Sequence, residues 1–299
     1  MPQTERSLHH LEKVVAIAAL AAVLALTIGF AQGADQKKGA PKSAARSDDV
    51  FLRSAVALVQ DAASGETLYA KNQSTVLPIA SITKLMTAIV ILDAGLNLEQ
   101  RVVISGEDYD LVKGTRSRLR PGSVLTRDEL LLIALMASEN RAAASLGRTF
   151  PGGSEAFVAA MNAKAAALGM SDTRFVDPTG LSSANVSTAH DLARLVAAAH
   201  EFPLIRQYST RNSATVQALG RPLDYRNTNG LVRSVHWDIG LSKTGYISEA
   251  GRCLVMRVRL ASREVIVVLL DSWGKFSRVG DANRIKKWLE ANALKGQRS

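Results

Sequence analysis

Strand-like segments lie near both ends of this chain, and helix-like segments fill the middle. "SAVALVQD" (54–61) and "ETLYA" (66–70) flank the turn "DAASG" and read as a hairpin. Far downstream, "CLVMRVRL" (253–260) and "EVIVVLL" (264–270) read as two more strands, joined by "ASR". A strand must cover its apolar face with another layer. The natural closure is therefore one largely antiparallel sheet built from both chain ends, with helices packed on it. The expected fold class is α+β.

The middle carries helical signals. Ile82, Leu85, Met86, Ile89 and Leu92 follow helical spacing. "TRDELLLIALMA" (126–137) opens with Thr126 and has Glu129 three residues on, which predicts a capping box. "SEAFVAAMNAKAAALG" (154–169) ends at Gly169, a helix stop. "TAHDLARLVAAAH" (188–200) has Thr188 as its expected N-cap. "DANRIKKWLEANAL" (281–294) reads as a final amphipathic helix with Ile285, Trp288 and Leu289 on one face.

Residues 1–34 differ from the rest. Arg6 and Lys13 precede a run without charge at 14–30, and "AQGAD" follows it. That pattern reads as a secretory signal, cut after Ala31, Gly33 or Ala34; an uncleaved anchor is the alternative. Residues 35–47, "DQKKGAPKSAARS", read as a flexible linker, and 48–299 as the folded domain. Cys253 is the only cysteine, so no internal disulfide forms and the domain stands on its core. Residues 48–299 carry a net charge of +7, which suits an anionic partner or solubility alone. No nucleic-acid motif is present, and at 5% aromatics a base-stacking surface is not expected.

Within "PIASITKLMTAIVILDAG" (78–95), Lys84 is the one cation on an otherwise apolar helix. Burial disfavours a charged lysine and lowers its pKa. A neutral lysine is a base, and the i, i+3 spacing brings Lys84 within reach of Ser81. A serine hydroxyl becomes a useful nucleophile when such a base takes its proton. Ser-x-x-Lys recurs at Ser272 and Lys275, but there a glycine intervenes and no apolar helix follows. Ser-x-Asn occurs as "SEN" (138–140), at the end of an apolar helix, and as "SAN" (183–185), in a polar loop. "KTG" (243–245) occurs once, ahead of the C-terminal strands, and suits an edge strand lining a cleft. Gly245 there is expected to let a ligand approach the backbone.

This order of Ser-x-x-Lys, Ser-x-Asn and Lys-Thr-Gly, 57 and then 105 residues apart, resembles the motif set of β-lactamases and penicillin-binding proteins. From about residue 50 to 290 the chain looks most like the low-molecular-mass D-alanyl-D-alanine carboxypeptidase/endopeptidase family. The wording that carries this is "LPIASITKLMTA", "LLLIALMASENRAAASL", "FVDPTGL" with "STAHDLARL", and "SKTGYISEAG". Within the family it looks closest to the D,D-endopeptidases, which cut the D-alanyl cross-link of peptidoglycan. No Glu-x-x-Leu-Asn follows the second motif, and "SEN" stands where β-lactamases carry "SDN", which points away from a β-lactamase. Only 54 residues follow Gly245, too few for the extra C-terminal domain of the carboxypeptidases, which favours an endopeptidase.

The resemblance implies a serine β-lactamase/D,D-peptidase-like fold with the site between sheet and helices. It implies that Ser81 attacks the penultimate D-alanine carbonyl and forms an acyl-enzyme, with Lys84 as general base and Ser138 as proton relay. Asn140 would bind the substrate backbone and help hold Lys84. Lys243 would give the cleft positive potential, Thr244 would take a substrate carboxylate, and Gly245 would line the binding strand. The backbone N–H groups of Ser81 and Tyr246 would form the oxyanion hole. The implied partners are cross-linked peptidoglycan and β-lactams as covalent inhibitors, in the periplasm, with no metal or cofactor. A carboxypeptidase trimming pentapeptides is the nearest alternative; a β-lactamase and a non-catalytic penicillin-binding scaffold are further ones. Arg116, Arg118 and Arg120 read as a solvated loop or as a steering patch for anionic wall fragments. His190 and His236 have no role in this scheme, Cys253 reads as a buried inert thiol, and residues 177–180 as a turn.

Overall fold

A computed structural model of the chain describes residues 50–296. The expected leader at 1–34 and linker at 35–47 lie outside the described residues. In chain order the elements begin with β1 (Ser54–Asp61), β2 (Thr67–Lys71) and β3 (Leu77–Pro78), followed by a 3₁₀ turn (Ala80–Thr83) and α1 (Lys84–Asp93). Then come β4 (Arg101–Val103), β5 (Val124–Thr126), α2 (Arg127–Met136), α3 (Asn140–Arg148) and α4 (Gly153–Ala167). Next are β6 (Val186–Ser187), α5 (Ala189–His200), α6 (Pro203–Thr210), β7 (Ser213–Ala218) and β8 (Arg221–Arg226). The chain closes with β9 (Asp238–Ile247), β10 (Gly251–Leu260), β11 (Arg263–Ser272) and α7 (Ser277–Gly296).

The main sheet has the order β2-β1-β11-β10-β9 and is antiparallel throughout. The two ends of the domain thus meet at its centre, with Val56 opposite Leu270 and Leu58 opposite Val268. Both faces are dry, because alternate residues enter two different cores. Val56, Leu58, Val255, Ile266 and Val268 pack with the helices of the middle region. Ala57, Val59, Leu254, Met256 and Val267 pack under α7 with Ala282, Ile285 and Leu289. Trp288 meets Tyr69 edge-on beside this second core. The α7 carboxylate of Asp281 is fully buried and accepts the Arg53 and Ser54 amides at 2.9 and 2.8 Å, tying the last helix to the first strand.

Local signals act as the sequence demands. Thr126 and Glu129 exchange hydrogen bonds as a capping box at the start of α2. The Thr188 hydroxyl accepts the Asp191 amide at the start of α5. Gly169, at φ 69°, follows α4. The apolar helix of the opening motif differs in one respect: its first turn is 3₁₀, and α1 begins only at Lys84. Ala80 adopts φ 47°, outside helical geometry, and Thr83 Oγ1 bonds back to the Ala80 carbonyl at 2.8 Å.

Candidate active site

Three segments far apart in sequence converge where the edge strand β9 meets the 3₁₀ turn. The turn places Ser81 ahead of α1, and nearly all of α1 is buried, Lys84 included, at 1% exposure. Between α2 and α3 the chain reverses at Ser138, at φ 60°, and Glu139 caps α3 by accepting the Ala142 amide. Asn140 therefore heads α3 and points back at Lys84. β9 brings Lys243, Thr244 and Gly245 along the open edge of the sheet.

Lys84 Nζ donates to three oxygens: Ser81 Oγ at 2.9 Å, Asn140 Oδ1 at 2.8 Å and the Thr179 carbonyl at 2.6 Å. Two of these partners are carbonyl oxygens, which can only accept. When Lys84 loses a proton, its two remaining N–H groups stay on those carbonyls and its lone pair is left facing the Ser81 hydroxyl. The Asn140 amide is held in the required sense because its Nδ2 donates to Thr115 Oγ1 at 2.9 Å. Burial pushes the Lys84 ammonium down to about 8, against the opposing pull of the Asp177, Glu139 and Asp110 carboxylates.

A second serine–lysine pair lies beside the first. Lys243 Nζ donates to Ser138 Oγ at 2.8 Å and to the Thr244 carbonyl at 3.0 Å, and it is 1% exposed. Burial holds it well below the ordinary lysine range, with the nearby Lys84 and Arg278 charges acting in the same direction. Thr244 Oγ1 shares a 2.6 Å hydrogen bond with Thr228 Oγ1. The Tyr246 side chain is exposed, with the Arg252 guanidinium over its ring.

The close approach expected at Gly245 involves the protein itself. A methyl group there would lie 2.9 Å from the Ile79 carbonyl and 3.2 Å from the Ser81 amide, so the missing side chain lets β9 reach the 3₁₀ turn that carries Ser81. Gly180 does the same from the other side: at φ 80°, a methyl group would fall 1.9 Å from the Ala80 carbonyl.

Several supporting residues escape the sequence reading. The turn at 177–180 clasps α1, with the Thr179 carbonyl on Lys84 and the Pro178 carbonyl on Thr87 Oγ1 at 2.6 Å. Asp177 organises it by accepting the amides of Thr179, Gly180 and Ser182. Asn185, the end of the second Ser-x-Asn, is fully buried. It accepts the Val176 amide at 2.7 Å and donates to Thr83 Oγ1 at 3.2 Å. Thr115 and Thr228 belong with these residues. The Asp-x-Thr-Gly turn was a visible signal, and Asn185 stood in the second Ser-x-Asn without a role; Thr115 and Thr228 carried none. The second Ser-x-x-Lys stays apart: Ser272 is buried against Ser54 Oγ at 2.6 Å, and Lys275 is exposed. Cys253 is buried on β10 with its thiol pushed up to about 11 by burial, and His190 and His236 are exposed.

The sequence profile of the family described as D-alanyl-D-alanine carboxypeptidase matches residues 42–274. The chain belongs to this family. A D-alanyl-D-alanine endopeptidase of Pseudomonas aeruginosa is 50% identical over 246 residues, covering 81% of this chain and 79% of the relative. One of Escherichia coli is 44% identical over 273 residues, covering 91% and 87%. Among solved structures, the Streptomyces K15 DD-transpeptidase superposes with a TM-score of 0.75 at 28% identity, covering 81% of this chain and 98% of that one. As a family member with this fold, the protein is a serine D,D-peptidase, and its α+β sheet from both chain ends is the architecture of the family.

Proposed function

We propose that the protein is a D,D-endopeptidase that hydrolyses D-alanyl cross-links of peptidoglycan in the periplasm, through an acyl-enzyme on Ser81 that penicillin also forms. The observation that carries this is the buried Lys84 with its only free lone-pair direction toward Ser81 Oγ. Neutral Lys84 takes the Ser81 proton as Oγ attacks the carbonyl carbon of the penultimate D-alanine. The oxyanion is stabilised by the amides of Ser81 and Tyr246. On β9 the Ser242 amide faces the open edge, toward Ser209 Oγ, and the alternation of a strand puts the Thr244 and Tyr246 amides on that same edge. Removing one such donor costs about 10²–10³ in rate.

The C–N bond then breaks as the proton taken up by Lys84 passes through the Ser138 hydroxyl, which Lys243 supports at 2.8 Å, to the leaving amine, and Lys84 is neutral again. Thr244, with Thr228 beside it, receives the carboxylate next to that amine. Water, deprotonated by Lys84, releases the acyl group and returns the proton to Ser81. Three relatives at 50%, 44% and 39% identity are named endopeptidases, while carboxypeptidases of Streptomyces and Bacillus subtilis are 33% and 31% identical, which supports cross-link cleavage over pentapeptide trimming. The test uses a D,D-cross-linked muropeptide dimer and a pentapeptide monomer, followed by mass spectrometry with and without penicillin. Penicillin-sensitive conversion of dimer to monomers, absent in Ser81→Ala, is expected. Loss of one D-alanine from the pentapeptide with the dimer intact would make the protein a carboxypeptidase.

A further inference from the structure

Beside Ser138, on the side away from the 177–180 turn, a cavity of about 250 Å³ opens between the loop after β4 and the β7–β8 hairpin. Arg116, Arg118 and Arg226 line it, with Ser138, Asn140 and Tyr225. All three guanidinium side chains are on exposed residues, and among the described residues none has a carboxylate within ion-pair distance. Glu139 also lines the cavity; its carboxylate accepts the Ala142 amide at 3.1 Å and also acts on the Tyr225 hydroxyl, so the three guanidinium groups face one carboxylate of the protein's own. Tyr225 is 5% exposed, lies under the Arg118 guanidinium at 4.2 Å, and its buried hydroxyl has no hydrogen-bond partner among the described residues. A buried, unpaired hydroxyl is costly and marks a place where a polar group is missing. Arg118 also borders a second cavity of about 480 Å³, which Arg120 and Arg221 line, so positive charge continues away from Ser138.

We propose that this arginine-lined cavity holds the departing strand of the cross-link by its free carboxylates, with Arg116, Arg118 and Arg226 as specificity-determining residues. The inference rests on the D,D-peptidase reading above, in which the leaving amine takes its proton at Ser138. Atoms beyond that nitrogen must then lie on the Ser138 side. A cross-link made on a side-chain amine leaves the rest of the departing peptide with acidic termini of its own. A pentapeptide releases a single amino acid, whose one carboxylate sits next to the nitrogen and is met at Thr244. Only the longer, more acidic leaving group spans from Ser138 to the guanidinium groups, whose planar donors suit carboxylates.

The test compares two cross-linked dimers, one with free carboxylates on the departing strand and one with those carboxylates amidated. The purified full chain and R116Q/R118Q/R226Q are assayed on both, each normalised to its own rate of penicillin acylation. Wild type is expected to prefer the acidic dimer about tenfold or more in kcat/KM, chiefly through KM, with the preference falling as salt rises. In the triple variant the preference is expected to shrink to about twofold or less, and Y225F to lower it in part. If the triple variant fails to acylate, the three single variants decide, each expected to lower the preference. A preference that survives in an acylating variant, or is absent in wild type, overturns the proposal while leaving the peptidase reading intact. A wild type that neither acylates nor cleaves either dimer overturns both.

Discussion

Lys84 combines a depressed pKa with a fixed lone-pair direction, and the two have different origins. Burial in α1 supplies the first, and the carbonyls of Asn140 and Thr179 supply the second. With a pKa of about 8, the neutral base is a minority form at pH 7 and dominates above pH 9. Acylation by penicillin is expected to rise with pH through about 8 and then level off. Lys84→Arg, which cannot deprotonate in this range, is expected to lose about 10³ or more of the rate with no such limb. A pH-independent acylation rate in wild type between 6.5 and 9.5 would remove Lys84 as the base. The linked stability follows the same sign. Unfolded lysine titrates near 10.4, so between about 8 and 10 the unfolded chain holds more protons and stability contributed by this site increases with pH.

Asn185 shows what a residue can do without touching a reactant. Its amide joins the 177–180 turn to Thr83, one residue before Lys84. Asn185→Ala is expected to cost about 2–4 kcal/mol in urea unfolding, because it strands several buried groups, and to slow acylation as the Thr179 carbonyl drifts from Lys84. Unchanged unfolding and acylation would show that the turn holds itself. Ser81 and Lys84 were legible because three residues on a helical path put two side chains together whatever the rest of the chain does. Asn185 was not, because its partner Thr83 lies 102 residues away and its own neighbours in sequence look like any polar loop.

At the scale of elements, the site is a meeting of three backbones at glycines. The 177–180 turn, the 3₁₀ turn at Ser81 and β9 come closer than side chains permit, and Gly180 and Gly245 are the places where they do. Gly180→Ala meets both a positive φ and a backbone oxygen at 1.9 Å, so it is expected to destabilise by about 3 kcal/mol or more and to abolish acylation. Thermal melting and penicillin labelling check it; wild-type behaviour in both would mean the contact is not needed. The elements themselves were largely readable: the hairpin, the capping box of α2, the C-terminal strands and the last helix all stand where their patterns put them. What periodicity could not reveal was the 3₁₀ turn at Ser81, since the break comes from Ala80 φ and from the distant Asn185 amide on Thr83 rather than from composition. The β7–β8 hairpin was missed for another reason. Its second strand exposes Arg221, Pro222, Asp224 and Arg226, so no apolar run marks it, and on the first only Ala214, Val216 and Ala218 alternate inward.

At the scale of the whole molecule, both faces of the sheet are covered and its central partners come from opposite ends of the domain. A chain stopped at residue 262 lacks β11 and α7, leaving β1 paired with β2 alone and β10 with one open edge. Such a fragment is expected to show no cooperative unfolding by circular dichroism and no penicillin labelling; a sharp melt would show that the helical region stands alone. Long-range strand pairing of this kind also predicts slow folding, since most of the chain must be gathered before β1 and β11 reward it.

The placement of β11 has a further consequence for the order in which the enzyme comes into being. During synthesis Ser81 and Lys84 emerge early, Lys243 emerges late, and β9 can be fixed only against β10, which in turn leans on β11. An interrupted or clipped copy therefore carries the proposed nucleophile without the strand proposed to aim a substrate at it. A truncated copy of such a hydrolase is therefore expected to be idle, because the wall opposite Ser81 is complete only when the last strand has paired.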